Sequence, residues 1–496
     1  MPAISLMRYG LALFTIVLLV SGFTSSEGNE TNEKHLSSPK TITVTPSVRH
    51  QQFEGWGGSL CWWAHIMGSY SPEKVDSICN WITHPTEGLN MNLFRFNIGG
   101  GDAPGHNHMR TDGGDMPGYK ASATSAYDWK SDAAQRKILQ QLIASRIANT
   151  GKNDIQIVAF SNSPPWWMTV SGCVAGSVNG NTTNLKPEMF DDFADYLTEV
   201  TKYYHDSLGI TFNHIEPFNE PYSTWWTANK ENGQEGCYFS QPDQERMIRE
   251  LYRSLQQKNM LEYCKIAAMD ANSIDEGYQG LLQYKNAGDI LDKIDRLDVH
   301  SYFGSMRNEI RDFARTQNKK LWQSESGPLN VGGTPEHQMI TVAARIVTDI
   351  KEMGCTAWLD WQLANDKSPM WGMLIGQYDK VEQPVIKGPS FYLRAQFSRY
   401  IKPGYSIIHS SNSSSIAALS PDKSELVLIY VNSTNKSEKL SLRIAGQRKI
   451  MLKEQIETSI KPETRVYTKT KTSNQKNKLS EFEVLPQSVT TFVVRL

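Results

Sequence analysis

The sequence predicts an α/β protein: a (β/α)8 TIM barrel with an appended β-sandwich domain formed by the C-terminus and an N-terminal strand. Three observations predict it. From Phe53 to about Gln396, short apolar runs alternate with amphipathic stretches, the pattern of repeated β/α units. Eight of these short runs can be placed, enough to close a barrel. After Pro403 the helical pattern stops and strand-like segments joined by polar turns take over.

At 496 residues the chain exceeds what one small core organises, so a barrel with a smaller partner domain is the natural division. The expected limits are 1–26 for an export signal, 27–40 for a flexible polar leader and 41–52 for a strand joining the sandwich. Residues 53–400 then make the barrel and 401–496 the C-terminal sandwich.

At the N-terminus, Arg8 supplies a positive charge, Tyr9 to Val20 is an apolar run, and Ser21, Gly22 and Ser25 are small residues suited to cleavage. The run is short for a membrane span, which needs about 20 apolar residues. A secreted protein that leaves the membrane after signal removal is expected. Thr41–Pro46 alternates like a strand but precedes the barrel, so it pairs elsewhere.

The barrel strands are expected at Phe53–Leu60, Asn92–Ile98, Ile155–Phe160, His214–Phe218, Lys265–Met269, Arg296–His300, Lys320–Gln323 and Ala357–Trp361. Helices fall between them, at Glu188–Tyr204, Asp243–Gln256 and Gln338–Met353 among others. In the first of these Met189, Phe193, Tyr196, Leu197 and Val200 lie on one face. No glycine-rich dinucleotide fingerprint follows the first strand, which argues against a doubly wound open sheet. The sandwich strands are expected at Ser406–His409, Ile416–Leu419, Glu425–Val431, Lys439–Ile444, Arg465–Thr468 and Val489–Leu496, with Lys469–Lys478 as a long solvated turn.

Composition narrows the function. With 51 basic against 52 acidic residues and no basic block near the motifs, neither nucleic acid nor an anionic membrane surface is the expected partner. The 13 Trp and 20 Tyr gather in several expected loops, where aromatic faces suit the apolar faces of sugar rings. Six Cys in so long a chain form no dense disulfide framework. Cys173 and Cys237 fall in loops after adjacent barrel strands, which makes a bridge between them one option, while Cys264 and Cys355 read as buried thiols. No Cys shows metal-ligand spacing, and His106 and His108 alone are weak metal evidence, so no metal is expected. A monomer is expected. Asn29, Asn181, Asn412, Asn432 and Asn435 begin Asn-x-Ser/Thr sequons.

The chemistry is expected at strand ends, where barrels gather it. Glu220 stands in Phe218-Asn219-Glu220-Pro221 after the fourth strand, and Glu325 in Ser324-Glu325-Ser326-Gly327 at the seventh. Two carboxyl groups facing one another across a barrel mouth are what glycosidic bond cleavage needs. Glu220 is the expected acid and base, its pKa raised so that it can protonate a leaving oxygen. Glu325 is the expected nucleophile, kept ionised by donors. Arg95 supplies a charge-assisted bond to it or a structural ion pair, and Tyr302 in His300-Ser301-Tyr302 is placed to donate its hydroxyl. Asn219 is positioned for a sugar hydroxyl beside the reacting carbon. Asn162, Trp166, Trp225, His300 and Trp361 join the substrate-binding candidates, as does Asp102, which alternatively caps a turn.

These residues resemble glycoside hydrolase family 30, and within it the endo-β-1,6-galactanases. General marks are Asn219-Glu220-Pro221, Ser324-Glu325-Ser326-Gly327 and Trp358-Leu359-Asp360-Trp361. Sharper marks are Gly55-Trp56-Gly57-Gly58-Ser59-Leu60 with Trp62-Trp63-Ala64, and Phe160-Ser161-Asn162-Ser163-Pro164 with Trp166-Trp167-Met168. Trp225-Trp226 and Gln234-Glu235-Gly236-Cys237-Tyr238-Phe239 complete the set. The resemblance implies Glu220 as acid/base, Glu325 as nucleophile, double displacement with retention, no cofactor, and a side sandwich built from both termini. It also implies internal cleavage of β-1,6-galactan, such as arabinogalactan side chains. The insert Gly176–Asn184 departs from the pattern. A β-1,6-glucanase or another activity of the family is the enzymatic alternative, and an inactive carbohydrate-binding protein the non-enzymatic one.

Overall fold

The computed structural model describes residues 38–329, 332–447, 450–472, 476–477 and 481–496. The expected export signal, most of the leader and the Asn29 sequon lie outside them. No helix among the described residues is long and apolar enough to cross a membrane.

Strand β1 (Lys40–Gln52) precedes eight parallel strands that close into a barrel in chain order: β2 (Gly55–Ser59), β3 (Leu93–Asn97), β4 (Gln156–Phe160), β5 (His214–Glu216), β6 (Lys265–Ser273), β7 (Ile294–Phe303), β8 (Lys320–Ser326) and β9 (Ala357–Asp360). Closure runs through β2, whose Gly55 pairs with Ala357 and Gly57 with Leu93. A Cβ at Gly57 would meet the Leu93 carbonyl oxygen at 1.7 Å, so only glycine lets the first strand enter the ring. Inside, Leu93, Val158, Trp322, Ala357 and Leu359 form an apolar plug.

The outer helices follow their apolar faces. In Phe190–Leu208, Phe193, Leu197, Val200 and Tyr204 are buried, and Gly209 ends the helix with φ of 66°. Helix Gln241–Gln257 starts at Ser240, whose side chain accepts from the Asp243 N–H. The helix expected over Gln338–Met353 begins at Pro335 and ends in a wider π turn over Asp349–Met353.

The expected strands at Lys265–Met269, Arg296–His300 and Lys320–Gln323 all run further, to Ser273, Phe303 and Ser326. Register shifts between Met269 and Ala271, Val299 and His300, and Gln323 and Ser326 interrupt their upper ends. Such bulges re-aim side chains, and they place Asp270, Asn272, His300, Tyr302 and Glu325 around the mouth.

After β9 come three short strands, β10 (Ala364–Asp366), β11 (Leu374–Gly376) and β12 (Ile386–Lys387), which form a small sheet. The appended domain holds β13 (Ser406–Ser410), β14 (Ser415–Leu419), β15 (Glu425–Asn432), β16 (Glu438–Ile444), β17 (Ile450–Ser459), β18 (Val466–Thr472), β19 (Lys476–Asn477), β20 (Glu481–Val484) and β21 (Ser488–Arg495). With β1 these form one continuous mixed sheet in the order β18-β17-β21-β15-β14-β13-β1-β16-β20, β19 pairing with β17. The N-terminal strand thus lies between β13, antiparallel, and β16, parallel. Strands β15 and β16 are far apart along this sheet, yet Leu428 and Leu440 share one core. The sheet therefore folds over on itself to make the two layers of the sandwich. Alternate residues such as Ile407, Ile416, Val427 and Ile429 face the other way and join the barrel's core.

Several details differ from the sequence reading. Strand β17 was not expected, nor was β20, and Lys469–Thr472 continues strand β18 instead of opening a turn. The Cys173–Cys237 bridge is absent: all six cysteines are free and buried. Asn432 is no accessible sequon, because its amide is buried and donates to the carbonyls of Lys436 and Leu485, both at 2.8 Å.

Candidate active site

The barrel mouth opens into a cleft of about 700 Å³ lined by Trp62, Trp225, Tyr302, Trp361 and Trp371 among others, with Asn219, Glu220 and Glu325 on its floor. Glu220 follows β5 with φ of 48°, the left-handed region that a non-glycine residue rarely occupies. Its N–H donates to the Asp270 carbonyl at 2.9 Å, which holds the turn and aims the carboxyl group at the mouth. Glu325 is carried in β8 itself.

The two carboxyl groups meet at His300. Its Nδ1 lies 3.2 Å from Glu220 Oε1 and 3.6 Å from Glu325 Oε1. An oxygen of Glu220, an oxygen of Glu325 and a nitrogen of His300 all lie within 4.8 Å of one another. On its other side His300 Nε2 is 2.9 Å from Asp270 Oδ1, an ion pair without an aligned hydrogen bond. Burial alone would depress this imidazole, but the charges of Asp270 and Glu325 outweigh it and hold His300 well above the usual histidine range.

Glu220 Oε1 also accepts from Asn272 Nδ2 at 2.6 Å, while its Oε2 has only a long contact from the Ser223 hydroxyl at 3.4 Å. Two donors on Oε1 leave Oε2 as the atom able to carry a proton. Glu325 Oε2 accepts from Arg95 Nη1 at 2.6 Å and Oε1 from the Tyr302 hydroxyl at 3.1 Å. Burial and the neighbouring carboxylates keep Tyr302 a phenol at neutral pH, so it can only donate here. The sequence reading has Glu325 held ionised by its donors. In the structure burial pushes its carboxyl group above the usual range, although His300 and Arg95 both act to lower it.

Arg95 is not reserved for Glu325. Its guanidinium also pairs with Asp270 and reaches Glu216 Oε2 at 3.5 Å and Asn219 Oδ1 at 3.3 Å, over the Phe160 ring at 4.0 Å. Arg95 is therefore both the nucleophile-side donor and a structural ion pair, the two roles that the sequence leaves as alternatives. Despite burial, Arg95 and His300 hold Asp270 below the usual range, whereas burial and Asp270 itself push Glu216 well above it. Asn219, with Oδ1 facing Arg95, has its amino group to offer to the cleft.

Trp225 is about half exposed at the rim, and Trp361 packs edge-on against Trp62 at 5.2 Å. Asp102, Asn162 and Trp166 do not line the cleft. Asp102 is turned toward His106 and His108, so the reading of it as a sugar contact is corrected. Asn162 is buried with Nδ2 3.6 Å from Cys61 Sγ, and Trp166 lies in a short turn, Trp166–Met168, outside the cleft. His300 touches both glutamates from beneath instead of lining the cleft.

The sequence reading missed Asp270, Asn272, Glu216 and Glu235. Asp270 and Asn272 sit at the lip of β6, where the strand-end logic that found Glu220 would have found them. Glu216 is a carboxylate inside an apolar strand, itself a signal. Glu235 is marked in the sequence only within the Gln234–Phe239 motif, with no role of its own: it reaches in from a loop to accept from Gly100 N at 2.9 Å, Met116 N at 3.1 Å and Asn97 Nδ2 at 3.1 Å.

Residues 39–313 match the family described as O-Glycosyl hydrolase family 30. The chain is 28% identical over 413 residues to an endo-β-1,6-galactanase of Hypocrea rufa, covering 79% of this chain and 81% of that protein. It is 27% identical over 427 residues to an exo-β-1,6-galactobiohydrolase of Bifidobacterium longum subsp. longum, covering 66% of this chain but 27% of that longer protein. The fold is shared with the catalytic domain of the xylanase C of Talaromyces cellulolyticus (TM-score 0.69, 20% identity, covering 92% of this chain and 100% of that one).

Proposed function

Because the chain belongs to O-glycosyl hydrolase family 30, we propose that it is a secreted, retaining endo-β-1,6-galactanase acting on side chains of the arabinogalactan type. The observation that carries the reading is the proximity of the two carboxyl groups, which have an oxygen each within 4.8 Å. Retaining enzymes hold their carboxyl groups roughly 5–5.5 Å apart, whereas inverting ones leave roughly 6.5–9.5 Å for a water.

In the first step a Glu325 oxygen attacks the anomeric carbon and forms an ester. The glycosidic C–O bond breaks as Glu220 Oε2 gives its proton to the leaving oxygen. Glu220, now a carboxylate, then takes a proton from water as that water attacks the same carbon. The ester bond breaks and the Glu325 carboxylate is restored. Tyr302 and Arg95 donate to Glu325 throughout and orient it. The Asn219 amino group is placed to bond the hydroxyl beside the reacting carbon. Trp225 at the rim and Trp361 across the mouth offer apolar faces to successive sugars.

The similarity to an endo-β-1,6-galactanase supports both the linkage and internal cleavage. Linkage-defined galactans and glucans, digested and sized, test both. A ladder of β-1,6-galacto-oligosaccharides, β-configured when first released, is expected. Release of monosaccharide alone would overturn the endo reading, and preference for β-1,6-glucan the galactan reading. Secretion is tested by finding the mature chain in the medium with its N-terminus beyond the apolar run.

A further inference from the structure

We propose that Asp102, His106, His108 and Cys173 form a structural site for a zinc-type divalent metal ion behind the wall of the cleft, separate from the glutamate pair. From the sequence, His106 and His108 alone are weak metal evidence. Folding turns Asp102 back onto them within the loop after β3 and brings Cys173 in from the loop after β4.

Three of the donor–donor separations already have the lengths of the edges of a coordination tetrahedron. Asp102 Oδ2 is 3.1 Å from His106 Nδ1 and 3.2 Å from His108 Nε2. Cys173 Sγ is 3.5 Å from His108 Nε2, and all four donors lie within 4.8 Å of one another. A tetrahedral zinc ion, with bonds of about 2.0–2.1 Å to nitrogen and oxygen and about 2.3 Å to sulfur, separates its N and O donors by about 3.3 Å. It separates sulfur from nitrogen by about 3.5 Å.

The chemistry of the set is selective. One thiol and two imidazoles suit a zinc-type ion, whereas calcium and magnesium call for oxygen ligands. Two of the ligands, Asp102 and Cys173, are also held from behind. The Val174 N–H contacts Asp102 Oδ1 at 3.4 Å and the Ala175 N–H donates to Cys173 Sγ at 3.4 Å. Binding would release the thiol proton to solvent and leave the ion with four protein ligands, the closed arrangement of a structural site.

The position gives the ion work to do. The loop 102–108 carries no helix or strand, and just beyond it the His108 carbonyl accepts from Gly233 N at 3.0 Å and Arg110 N donates to the Gly233 carbonyl at 2.9 Å. Arg110 and Gly233 line the cleft, and Arg110 stacks over Trp62 at 4.7 Å. An ion here would pin the loops that form this wall.

The test uses the full chain, stripped with a chelator and loaded with Zn²⁺ or Co²⁺ alone. One zinc per chain is expected, with a rise in melting temperature. The cobalt form should show tetrahedral visible bands and a near-ultraviolet thiolate-to-cobalt band. Cys173→Ser should lose the latter band. His106→Ala, on a loop outside the hydrophobic core, should weaken zinc binding by about tenfold or more. Absence of bound zinc at micromolar free metal would overturn the proposal. So would unchanged stoichiometry and affinity in His106→Ala, which decides the matter even if Cys173→Ser fails to fold.

Discussion

In the side sheet, Leu428, Phe492 and Val494 meet Leu440, Leu442 and Val484 in an apolar core. At the barrel mouth Arg95, Glu216, Asp270, His300 and Glu325 are buried to the same depth. Apolar burial stabilises by about 25 cal/mol per Å². Burying charge costs solvation that pairing recovers only in part. The first region therefore holds the fold together, and the second is tolerated because it positions two carboxyl groups and their donors. Substitutions should separate along this line, in rate at the mouth and in stability in the sheet.

The largest effect is expected from Glu325→Ala. Its kcat should fall roughly 10⁴-fold or more, substrate affinity should stay within a few-fold, and azide should restore part of the rate as a glycosyl azide product. Turnover retained without an added nucleophile would remove Glu325 from its role. Next, Glu220→Gln should cost roughly 10²–10⁴-fold on the natural glycan but far less on an aryl glycoside whose leaving group needs no proton. Equal losses on both substrates would break the acid assignment.

Leu428→Ala should cost about 2–5 kcal/mol in urea denaturation with kcat unchanged where the protein is folded. A parallel fall in kcat would show that the two regions are not independent. The smallest effect sharpens the border between them. Burial pushes Glu235 up to about 8, against the bonds from Asn97, Gly100 and Met116. Its folded pKa then exceeds the unfolded value of about 4.3, so its contribution is full below that pH and is lost as pH rises through about 8. Stability should decline over this window, and Glu235→Gln should flatten the decline. Asn97 Oδ1, buried without a partner, can turn to accept from the new amide. An unchanged slope would place the titrating group elsewhere.

Much of this comparison was legible in advance. The apolar segments at Asn92–Ile98 and Ile155–Phe160 have the length and composition of buried parallel strands, and they fold as such. Strand β17 escaped because Lys453-Glu454-Gln455-Ile456-Glu457 reads as polar. Its place between β18 and β21 nonetheless buries Glu457, whose Oε1 accepts from Leu485 N at 2.7 Å and Thr490 Oγ1 at 3.1 Å. Trp166 and Trp225 look alike in sequence, as paired tryptophans in loops after barrel strands. Only the path of each loop sends Trp225 to the cleft and Trp166 away from it.

By itself the sequence determined the eight barrel strands, the change of pattern that announces the side sheet, and the placing of Glu220 and Glu325 at strand ends. These follow from side-chain period and backbone preference, which act over a few residues. The tertiary structure decided that those two carboxyl groups share His300, that Arg95 divides itself among four partners, and that Asp102 faces two histidines and a cysteine. Such juxtapositions depend on barrel closure and on bulged strand ends. Both are set by the sum of many weak contacts between segments far apart in the chain, and no local pattern records that sum.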